Sequence, residues 1–348
     1  MQIKTMQAAR LYGPRDVRIE PVPVPSPAAG ELLVRVTRCG ICPSDVRAYV
    51  GVFRGRPDYP MITGHEWTGR VVAAGASERT AQVGQRVVVD YHSPCGSCYY
   101  CRRGHLNHCE NLGRSQGGFA EYCLGWAEKA RIVPDSVSDD EACFCEPLAC
   151  CLNGIESLRL KPGDDALIVG CGPIGLIQVQ LARAQGARVI AMDLLPERLE
   201  LALELGAEHT VLAADVDPVS AVRELTGGRG ATGVMVTVGE PELVGQTAEM
   251  TASTGIVNLF AGFYPNGEAQ FDFNTVHYRQ ITLTGSHEFL PRHFDAALHA
   301  IQHGIVRVRP LISHILPLSD IQEGLEVVSR LEGLKVVIAP EHEADSDV

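Results

Sequence analysis

Four cysteines lie close together in the segment CGSCYYCRRGHLNHC (95–109), spaced as C-x2-C-x2-C-x7-C. Thiolates on short loops can close around one tetrahedral zinc ion, with sulfur–zinc bonds of about 2.3 Å. Because four thiolates leave no open coordination position, this spacing predicts a structural rather than a catalytic zinc. We expect His105 and His108, in the same segment, to be surface residues. The predicted ligands are Cys95, Cys98, Cys101 and Cys109.

A second group of metal-ligating residue types is spread over three motifs, CGICPSD (39–45), TGHEWTG (63–69) and CEP (145–147). A catalytic zinc needs about three protein ligands and one open position for water or substrate. One glutamate can ligate directly while the other acts through water or exchanges with it during turnover. An isolated His-Glu pair is also common on solvated surfaces, so this prediction depends on the residues coming together. The predicted ligands are Cys39, His65, Glu66 and Glu146.

The hexapeptide GCGPIG (170–175) has the form G-x-G-x-x-G and lies between a predicted strand and a predicted helix. In this context the glycines allow a tight turn, a close approach of the backbone to a pyrophosphate, and close helix–strand packing. Asp193 ends the next predicted strand, where its carboxylate would bind both ribose hydroxyls and repel a 2′-phosphate, which favours NAD over NADP. The predicted cofactor-binding residues are Gly170, Gly172, Pro173, Ile174, Gly175, Asp193 and Arg198.

Two kinds of elements must position these residues. In the first half, β-branched runs such as 31–38, 69–75 and 85–91 are bounded by turn residues, which predicts a mainly antiparallel, barrel-like unit. From Asp165 onward, apolar strand runs alternate with helical segments, and this pattern predicts a parallel α/β sheet. A length of 348 residues also favours two domains.

The composition excludes several classes of function. A net charge of −12 argues against a nucleic-acid or anionic-membrane partner. No apolar run approaches the roughly 20 residues that span a bilayer, and the N-terminus lacks a secretory apolar stretch, so we expect a cytoplasmic protein. Its 12 cysteines comprise one cluster and several scattered residues, which indicates a metal site and further cysteines that stay reduced. We expect the acidic tail, 341–348, to be disordered.

In this order, the three motifs resemble those of the zinc-containing medium-chain dehydrogenase/reductase superfamily, over nearly the whole chain. GHEWTG and EPLACCLNG look closest to its sorbitol (polyol) dehydrogenase branch. The resemblance implies an α/β protein with a GroES-like β-barrel catalytic domain and a Rossmann domain built on a doubly wound parallel sheet. The implied catalytic domain spans 1–150 and 290–348, and the Rossmann domain, 151–289, is inserted between these segments.

The resemblance also implies roles for residues around the second metal group. Glu66 would alternate with Glu146 at the zinc, Asp45 would hydrogen-bond the far nitrogen of His65, and Ser44 would bond the substrate hydroxyl and pass its proton outward. The implied activity is NAD(H)-linked oxidation of a secondary alcohol in a polyol, sugar or cyclitol, or reduction of the ketone. The implied protein holds two zinc ions per chain and forms a dimer or tetramer.

Other interpretations remain open. The same scaffold serves threonine-type and simple alcohol dehydrogenases, and a non-catalytic NAD-binding protein could also retain it. Arg47 departs from the family pattern, because many members place there a histidine that ends the proton relay. A guanidinium does not release its proton, so a relay through Ser44 would exit through a ribose hydroxyl and water. Arg47 itself would contact the cofactor pyrophosphate, an anionic substrate or solvent.

Overall fold

The computed structural model describes residues 4–52, 58–76, 81–115, 117–264, 267–270 and 272–340. The acidic tail, 341–348, lies outside the described residues. The chain divides into two compact units. The first unit comprises the residues up to Glu146, Leu290–Gln302 and the residues from Val308 onward; the second comprises Pro147–Phe289 and His303–Arg307.

The elements run from an N-terminal group of strands through an α/β segment to a C-terminal group. The N-terminal group contains β1 (Thr5–Gly13), β2 (Asp16–Pro23), β3 (Glu31–Gly40), α1 (Pro43–Val50), β4 (Glu66–Ala74), β5 (Arg86–Val89), β6 (His92–Ser93), α2 (Tyr99–Arg102), β7 (Gly113–Arg114), β8 (Tyr122–Trp126), β9 (Ala130–Ile132) and α3 (Asp139–Ala142). The α/β segment contains α4 (Cys145–Leu158), β10 (Asp165–Val169), α5 (Pro173–Ala184), β11 (Arg188–Asp193), α6 (Pro196–Leu205), β12 (His209–Leu212), α7 (Pro218–Leu225), β13 (Ala231–Val236), α8 (Pro241–Met250), β14 (Thr251–Leu259), α9 (Phe273–Arg279) and β15 (Thr282–Gly285). The C-terminal group contains α10 (Pro291–Gln302), β16 (Ile312–Pro317), α11 (Ile321–Ser329) and β17 (Lys335–Ala339). Short 3-10 helices lie at Leu106–His108, Ala127–Lys129, Arg309–Leu311 and Leu318–Asp320.

The sheet of the first unit is mainly antiparallel, as the sequence predicts. Its strand order is β16-β17-β3-β4-β5-β9, and β8 also pairs with β3. The C-terminal strand β17 pairs antiparallel with the end of β3, where Val337 lies opposite Gly40. Alternate residues of β3, including Leu32, Val34 and Val36, are fully buried in the core. The end of β3 is therefore fixed by strands from both ends of the chain.

The second unit contains a six-stranded parallel sheet in the order β12-β11-β10-β13-β14-β15. Numbered from its first strand, this order is 3-2-1-4-5-6, the doubly wound arrangement that binds dinucleotides where the strand order reverses. That reversal lies between β10 and β13. The sheet confirms the predicted α/β class and puts the glycine-rich hexapeptide at the carboxyl end of β10. In the described part of the chain, none of the helices has the length and apolar character needed to cross a bilayer.

Candidate metal and cofactor sites

Cys42, His65 and Glu66 form a compact group in the first unit. One ligand atom from each lies within 4.8 Å of the other two. His65 is 7% exposed and Glu66, the first residue of β4, is 1% exposed. A thiol, an imidazole and a carboxylate in this arrangement are the ligand types of a catalytic zinc that keeps a position open.

The start of α1 fixes the thiol of this group. Cys42 is the N-cap residue of α1, and Pro43 occupies the first helical position, where its fixed φ suits the helix. The Asp45 carboxylate accepts a hydrogen bond from the Cys42 N–H at 3.0 Å, which closes a capping box. The Ser44 N–H donates to Cys42 Sγ at 3.5 Å. The helix start therefore sets the direction of the Cys42 side chain.

The position of Cys42 corrects the choice of Cys39 made from the sequence. Cys39 belongs to no group of three candidate ligand atoms in the described residues. It lies on β3 opposite Trp67, with its side chain fully buried in the core of the first unit. A Cβ at Gly118 would lie only 2.7 Å from Cys39 Sγ, so the sulfur packs directly on the backbone there. The register shift between Val36 and Arg38 turns Cys39 into the core, while the turn after β3 places Cys42 beside His65 and Glu66.

Lys335 was not predicted from the sequence, yet it contacts this group. Its Nζ forms an ion pair with Glu66 Oε2 and donates a hydrogen bond to the Ile41 carbonyl oxygen at 3.1 Å. Burial disfavours the ammonium, but the Glu66 carboxylate outweighs burial, and the pKa of Lys335 is raised above its usual value. Lys335, the first residue of the last strand β17, thus brings a fixed positive charge to a buried carboxylate.

Asp45 contacts backbone groups rather than His65. Its Oδ1 accepts a hydrogen bond from the Gly64 N–H at 3.1 Å, in addition to the Cys42 N–H already described. His65 Nδ1 lies 3.8 Å from Asp45 Oδ1, which is too long for a hydrogen bond. A carboxylate oxygen can accept more than one hydrogen bond, so the contact expected between Asp45 and His65 stays a prediction beside these backbone contacts. Asp45 joins these loops by their backbones.

The chemistry of the ligand set fits a bound cation. Burial, followed by the charges of Glu66 and Asp45, raises the pKa of Cys42 to about 12. Without a cation the thiol is therefore neutral near pH 7, whereas a divalent cation favours the thiolate. Lys335 already compensates the Glu66 carboxylate, but ionising the thiol would add a further buried negative charge that needs a positive charge to compensate it. Zinc would provide that compensation.

The other residues predicted for this site occupy separate positions. Ser44 and Arg47 lie three residues apart on α1 and so share one face of the helix. Glu146, in the first turn of α4, is buried but is not a member of the Cys42, His65 and Glu66 group. The structure thus brings Cys42, His65 and Glu66 together and leaves Glu146 outside that group.

Ligand atoms of the four clustered cysteines all lie within 4.8 Å of one another. They are Cys95, Cys98, Cys101 and Cys109. The segment 95–109, here called the cysteine lobe, begins after β6 and ends before β7, and these two strands pair antiparallel at its base. His105 and His108 are exposed and are not members of the group. The lobe therefore offers four sulfurs to one ion, as the spacing predicts.

The surroundings of the four thiols also suit a metal. Backbone N–H groups of Ser97 and Cys98 lower the pKa of Cys95 to about 6. Burial raises the pKa of Cys101 to about 12. Further N–H groups point at sulfur: Cys95 N donates to Cys109 Sγ at 3.2 Å. Donors aimed at sulfur stabilise thiolates, and a cation would remove the cost of ionising the buried Cys101.

The glycine-rich loop of the second unit has the geometry that each glycine is expected to provide. Gly170 has a φ of 91°, a left-handed conformation that favours glycine. A Cβ at Gly175 would lie 1.8 Å from the Gly170 carbonyl oxygen, so the start of α5 packs directly on the loop. A Cβ at Gly172, the N-cap residue of α5, would meet nothing within 4 Å. The backbone at Gly172 and the following Pro173 and Ile174 therefore borders open space suited to a pyrophosphate.

Asp193 closes this loop from the end of β11. Its Oδ2 accepts a hydrogen bond from the Cys171 N–H at 2.6 Å, and its Oδ1 accepts hydrogen bonds from the N–H groups of Leu194 and Leu195 at 2.7 and 3.0 Å. Arg198 Nη1 lies 4.0 Å from Asp193 Oδ2. The structure thus brings the predicted acidic residue and Arg198 to the glycine-rich loop.

Comparisons with known proteins agree with this architecture. Residues 28–135 match the family described as alcohol dehydrogenase GroES-like domain, and residues 173–303 match the family described as zinc-binding dehydrogenase. The erythritol/L-threitol dehydrogenase of Mycolicibacterium smegmatis is 33% identical, with 96% of this chain and 98% of that protein covered.

Two solved structures share the whole architecture. A zinc-binding dehydrogenase from Sinorhizobium meliloti, solved with NADP bound, has a TM-score of 0.90 and 32% identity, covering 97% of this chain and 99% of that chain. The 2R,3R-butanediol dehydrogenase of Bacillus subtilis has a TM-score of 0.88 and 30% identity, covering 97% of this chain and 100% of that chain. With a GroES-like unit, a Rossmann unit and these relatives, the chain belongs to the zinc-dependent medium-chain dehydrogenase/reductase superfamily, near its polyol dehydrogenases.

Proposed function

We propose that this chain oxidises a secondary alcohol of a polyol, sugar or cyclitol with NAD, or reduces the corresponding ketone with NADH. The observation that carries the proposal is the thiol, imidazole and carboxylate group of Cys42, His65 and Glu66, in a chain that also holds a dinucleotide-type glycine loop. Relatives named for erythritol, threitol and butanediol support a substrate with neighbouring hydroxyls. The compact units support a catalytic domain at 1–150 and 290–348 and a coenzyme domain at 151–289, except that residues 147–150 and 303–307 belong to the second unit.

We propose two zinc ions per chain. Cys42, His65 and Glu66 would hold one, and the four cysteines of the cysteine lobe would hold the other. Exchange of Glu66 for Glu146 would require Glu146 to join the first group during turnover. When bound, the first zinc supplies a Lewis acid for the substrate oxygen, and NAD supplies the hydride acceptor. Lys335 holds Glu66 by charge, and Asp45 holds the Cys42 and His65 loops. These contacts orient the ligands before substrate arrives.

Ser44 is the group that we assign to the proton of the substrate hydroxyl. It lies at the start of α1, two residues after Cys42, and its hydroxyl can both accept and donate a proton. Arg47 follows one helical turn later and cannot accept that proton, because its guanidinium stays protonated. The proton therefore leaves Ser44 Oγ toward water rather than along α1. In this scheme Arg47 binds an anionic group of substrate or cofactor.

A substrate screen tests the proposal. Zinc-loaded enzyme is assayed for NADH formation with polyols, cyclitols, their phosphates, threonine and primary alcohols. We expect the highest kcat/KM with a secondary alcohol that has a neighbouring hydroxyl, and a preference for phosphates would assign Arg47 to the substrate. Highest activity with threonine or a primary alcohol would favour the alternative dehydrogenase classes. Absence of turnover with a fully metal-loaded protein would favour a non-catalytic NAD-binding protein.

NAD specificity depends on Asp193 and yields a separate prediction. Two like charges about 4 Å apart repel by about 1–4 kcal/mol at a protein surface. Asp193→Asn is therefore expected to raise kcat/KM with NADP by about 10- to 1,000-fold relative to NAD. The measurement is the ratio of kcat/KM for the two cofactors. Asp215→Asn, which removes the same charge from an exposed position of the second unit, is the control and should leave this ratio unchanged. An unchanged ratio in Asp193→Asn, or NADP preference in the wild type, would contradict the assignment.

We also propose that the chain assembles into a dimer or tetramer through β15. Among the described strands, β15 is the last of the parallel sheet and pairs only with β14. An edge strand with free backbone groups can pair with the same strand of a second copy across a two-fold axis. Leu283 on β15 is 42% exposed, so Leu283→Lys is expected to shift the molar mass by light scattering to that of a monomer. Ile132→Lys on β9, an edge strand of the other sheet, is the control and should leave the molar mass unchanged. A monomeric wild type would overturn the proposal.

A further inference from the structure

The Tyr91 ring contacts two imidazoles in the first unit. Its centroid is 4.9 Å from the His65 ring centroid, with 44° between the planes, and 3.9 Å from the His92 ring centroid, with 37° between the planes. All three side chains are buried. The rings of His65, Tyr91 and His92 are thus linked by two tilted aromatic contacts, and this group of three is here called the stack.

The far end of this stack is held by a carboxylate. His92 Nδ1 lies 3.2 Å from Asp90 Oδ1, and the same oxygen accepts a hydrogen bond from the His92 N–H at 2.9 Å. Asp90 is 2% exposed, so this contact is shielded from solvent. Because His92 is buried and its Nδ1 approaches a buried carboxylate, packing limits how far the outer imidazole can turn. It provides a firm surface for Tyr91.

The stack also shares its chain segment with the base of the cysteine lobe. His92 lies on β6 opposite Arg114 on β7, and these two strands flank the lobe. The Tyr91 carbonyl oxygen accepts a hydrogen bond from the Ser115 N–H at 2.9 Å, directly after β7. The backbone that closes the lobe therefore fixes Tyr91 and His92.

We propose that Tyr91 is a positioning residue that holds the His65 imidazole in its metal-binding orientation, with His92, Asp90 and the base of the cysteine lobe as its support. The proposal rests on the metal site assigned above to Cys42, His65 and Glu66. Loss of one such aromatic contact corresponds to a change in metal affinity of about 2- to 10-fold. Through this stack, order in the structural lobe supports the orientation of a ligand in the catalytic group.

The test compares Tyr91→Leu, Tyr91→Phe and Tyr122→Leu, where Tyr122 is another buried tyrosine of the first unit. Zinc affinity is measured by competition with a chromophoric chelator, and ligand geometry by the visible absorption of the cobalt(II)-substituted protein. We expect Tyr91→Leu to weaken the binding of the more labile zinc by about 2- to 10-fold and to alter the cobalt spectrum. Tyr91→Phe keeps the ring and should match the wild type. Tyr122→Leu should match it as well, because a merely structural cavity does not change ligand geometry.

Cys42→Ala separates failure of this inference from failure of the metal site. If Cys42→Ala binds as much metal as the wild type, the proposed site is overturned and, with it, the role of Tyr91. A wild type that binds this ion, with unchanged affinity and spectrum in Tyr91→Leu, would overturn the role of Tyr91 alone. If Tyr91→Leu does not fold, His92→Leu replaces it, with an expected loss of affinity of about 2- to 10-fold. Unchanged affinity and spectrum in His92→Leu would then contradict the inference.

Discussion

Cys42→Ala is expected to lose the labile zinc and at least about 1,000-fold in kcat/KM, whereas Cys39→Ala keeps the zinc and most of the activity. A loss of this size corresponds to about 4 kcal/mol of transition-state stabilisation, which is within the several kcal/mol that a metal supplies as a Lewis acid. The difference between the two variants follows from geometry, because only Cys42 shares a ligand group with His65 and Glu66.

Cys39→Ala is a matched control, since it removes a thiol three residues away in the same motif. Cys39 is fully buried in the core, so its replacement acts on stability by the cost of a small cavity. Zinc content is measured by elemental analysis and activity by NADH formation with the best substrate of the screen. Loss of the labile zinc in Cys39→Ala and its retention in Cys42→Ala would restore the assignment made from the sequence.

Loss of the lobe metal is expected to destabilise the first unit. Within the segment 95–109, all of which is described, only Cys98 and Cys101 are buried. The cysteine lobe therefore has almost no hydrophobic core, and the metal must supply most of the energy that orders it. We expect Cys101→Ala to remove one zinc per chain and to lower the Tm by about 10 °C or more, at about 2–4 °C per kcal/mol for a domain of this size.

Cys123→Ala provides the comparison for this second variant, because Cys123 is an equally buried cysteine of the same unit that belongs to no ligand group in the described chain. It should keep two zinc ions and a Tm within a few degrees of the wild type. Calorimetry measures the Tm, and elemental analysis measures the zinc content, of Cys101→Ala and Cys123→Ala. A Cys101→Ala protein with two zinc ions and an unshifted Tm would rule out the cysteine lobe as a metal site.

Features encoded by short segments could be predicted from the sequence. The spacing of the lobe cysteines requires only fifteen consecutive residues to come together, and the structure brings all four within 4.8 Å. The loop at Gly170–Gly175 could be predicted equally well, because its turn lies directly between a strand and the helix that follows it. The α/β class and the two architectures are confirmed by the sheets and the family matches.

The choice between Cys39 and Cys42 could not be made in the same way. The two cysteines share one motif, and the ligand is decided by where β3 ends and α1 begins. Pro43 and Asp45 after Cys42 were the available signal, because proline at the first helical position and a capping acid mark Cys42 as the N-cap. Lys335 had no local signal, since its contact with Glu66 depends on the pairing of β17 with β3.

The late position of Lys335 in the chain has a consequence for biosynthesis. Ribosomes add about 5–20 residues per second, so the 189 residues between positions 146 and 335 take about 10–40 s to make. During that interval β3 lacks β17, and the Glu66 carboxylate lacks its ammonium partner. The second unit is synthesised within the same interval and can fold first. The nascent first unit therefore spends tens of seconds with an open sheet edge and an uncompensated buried acid, which is the period when aggregation or premature metal capture is most favoured.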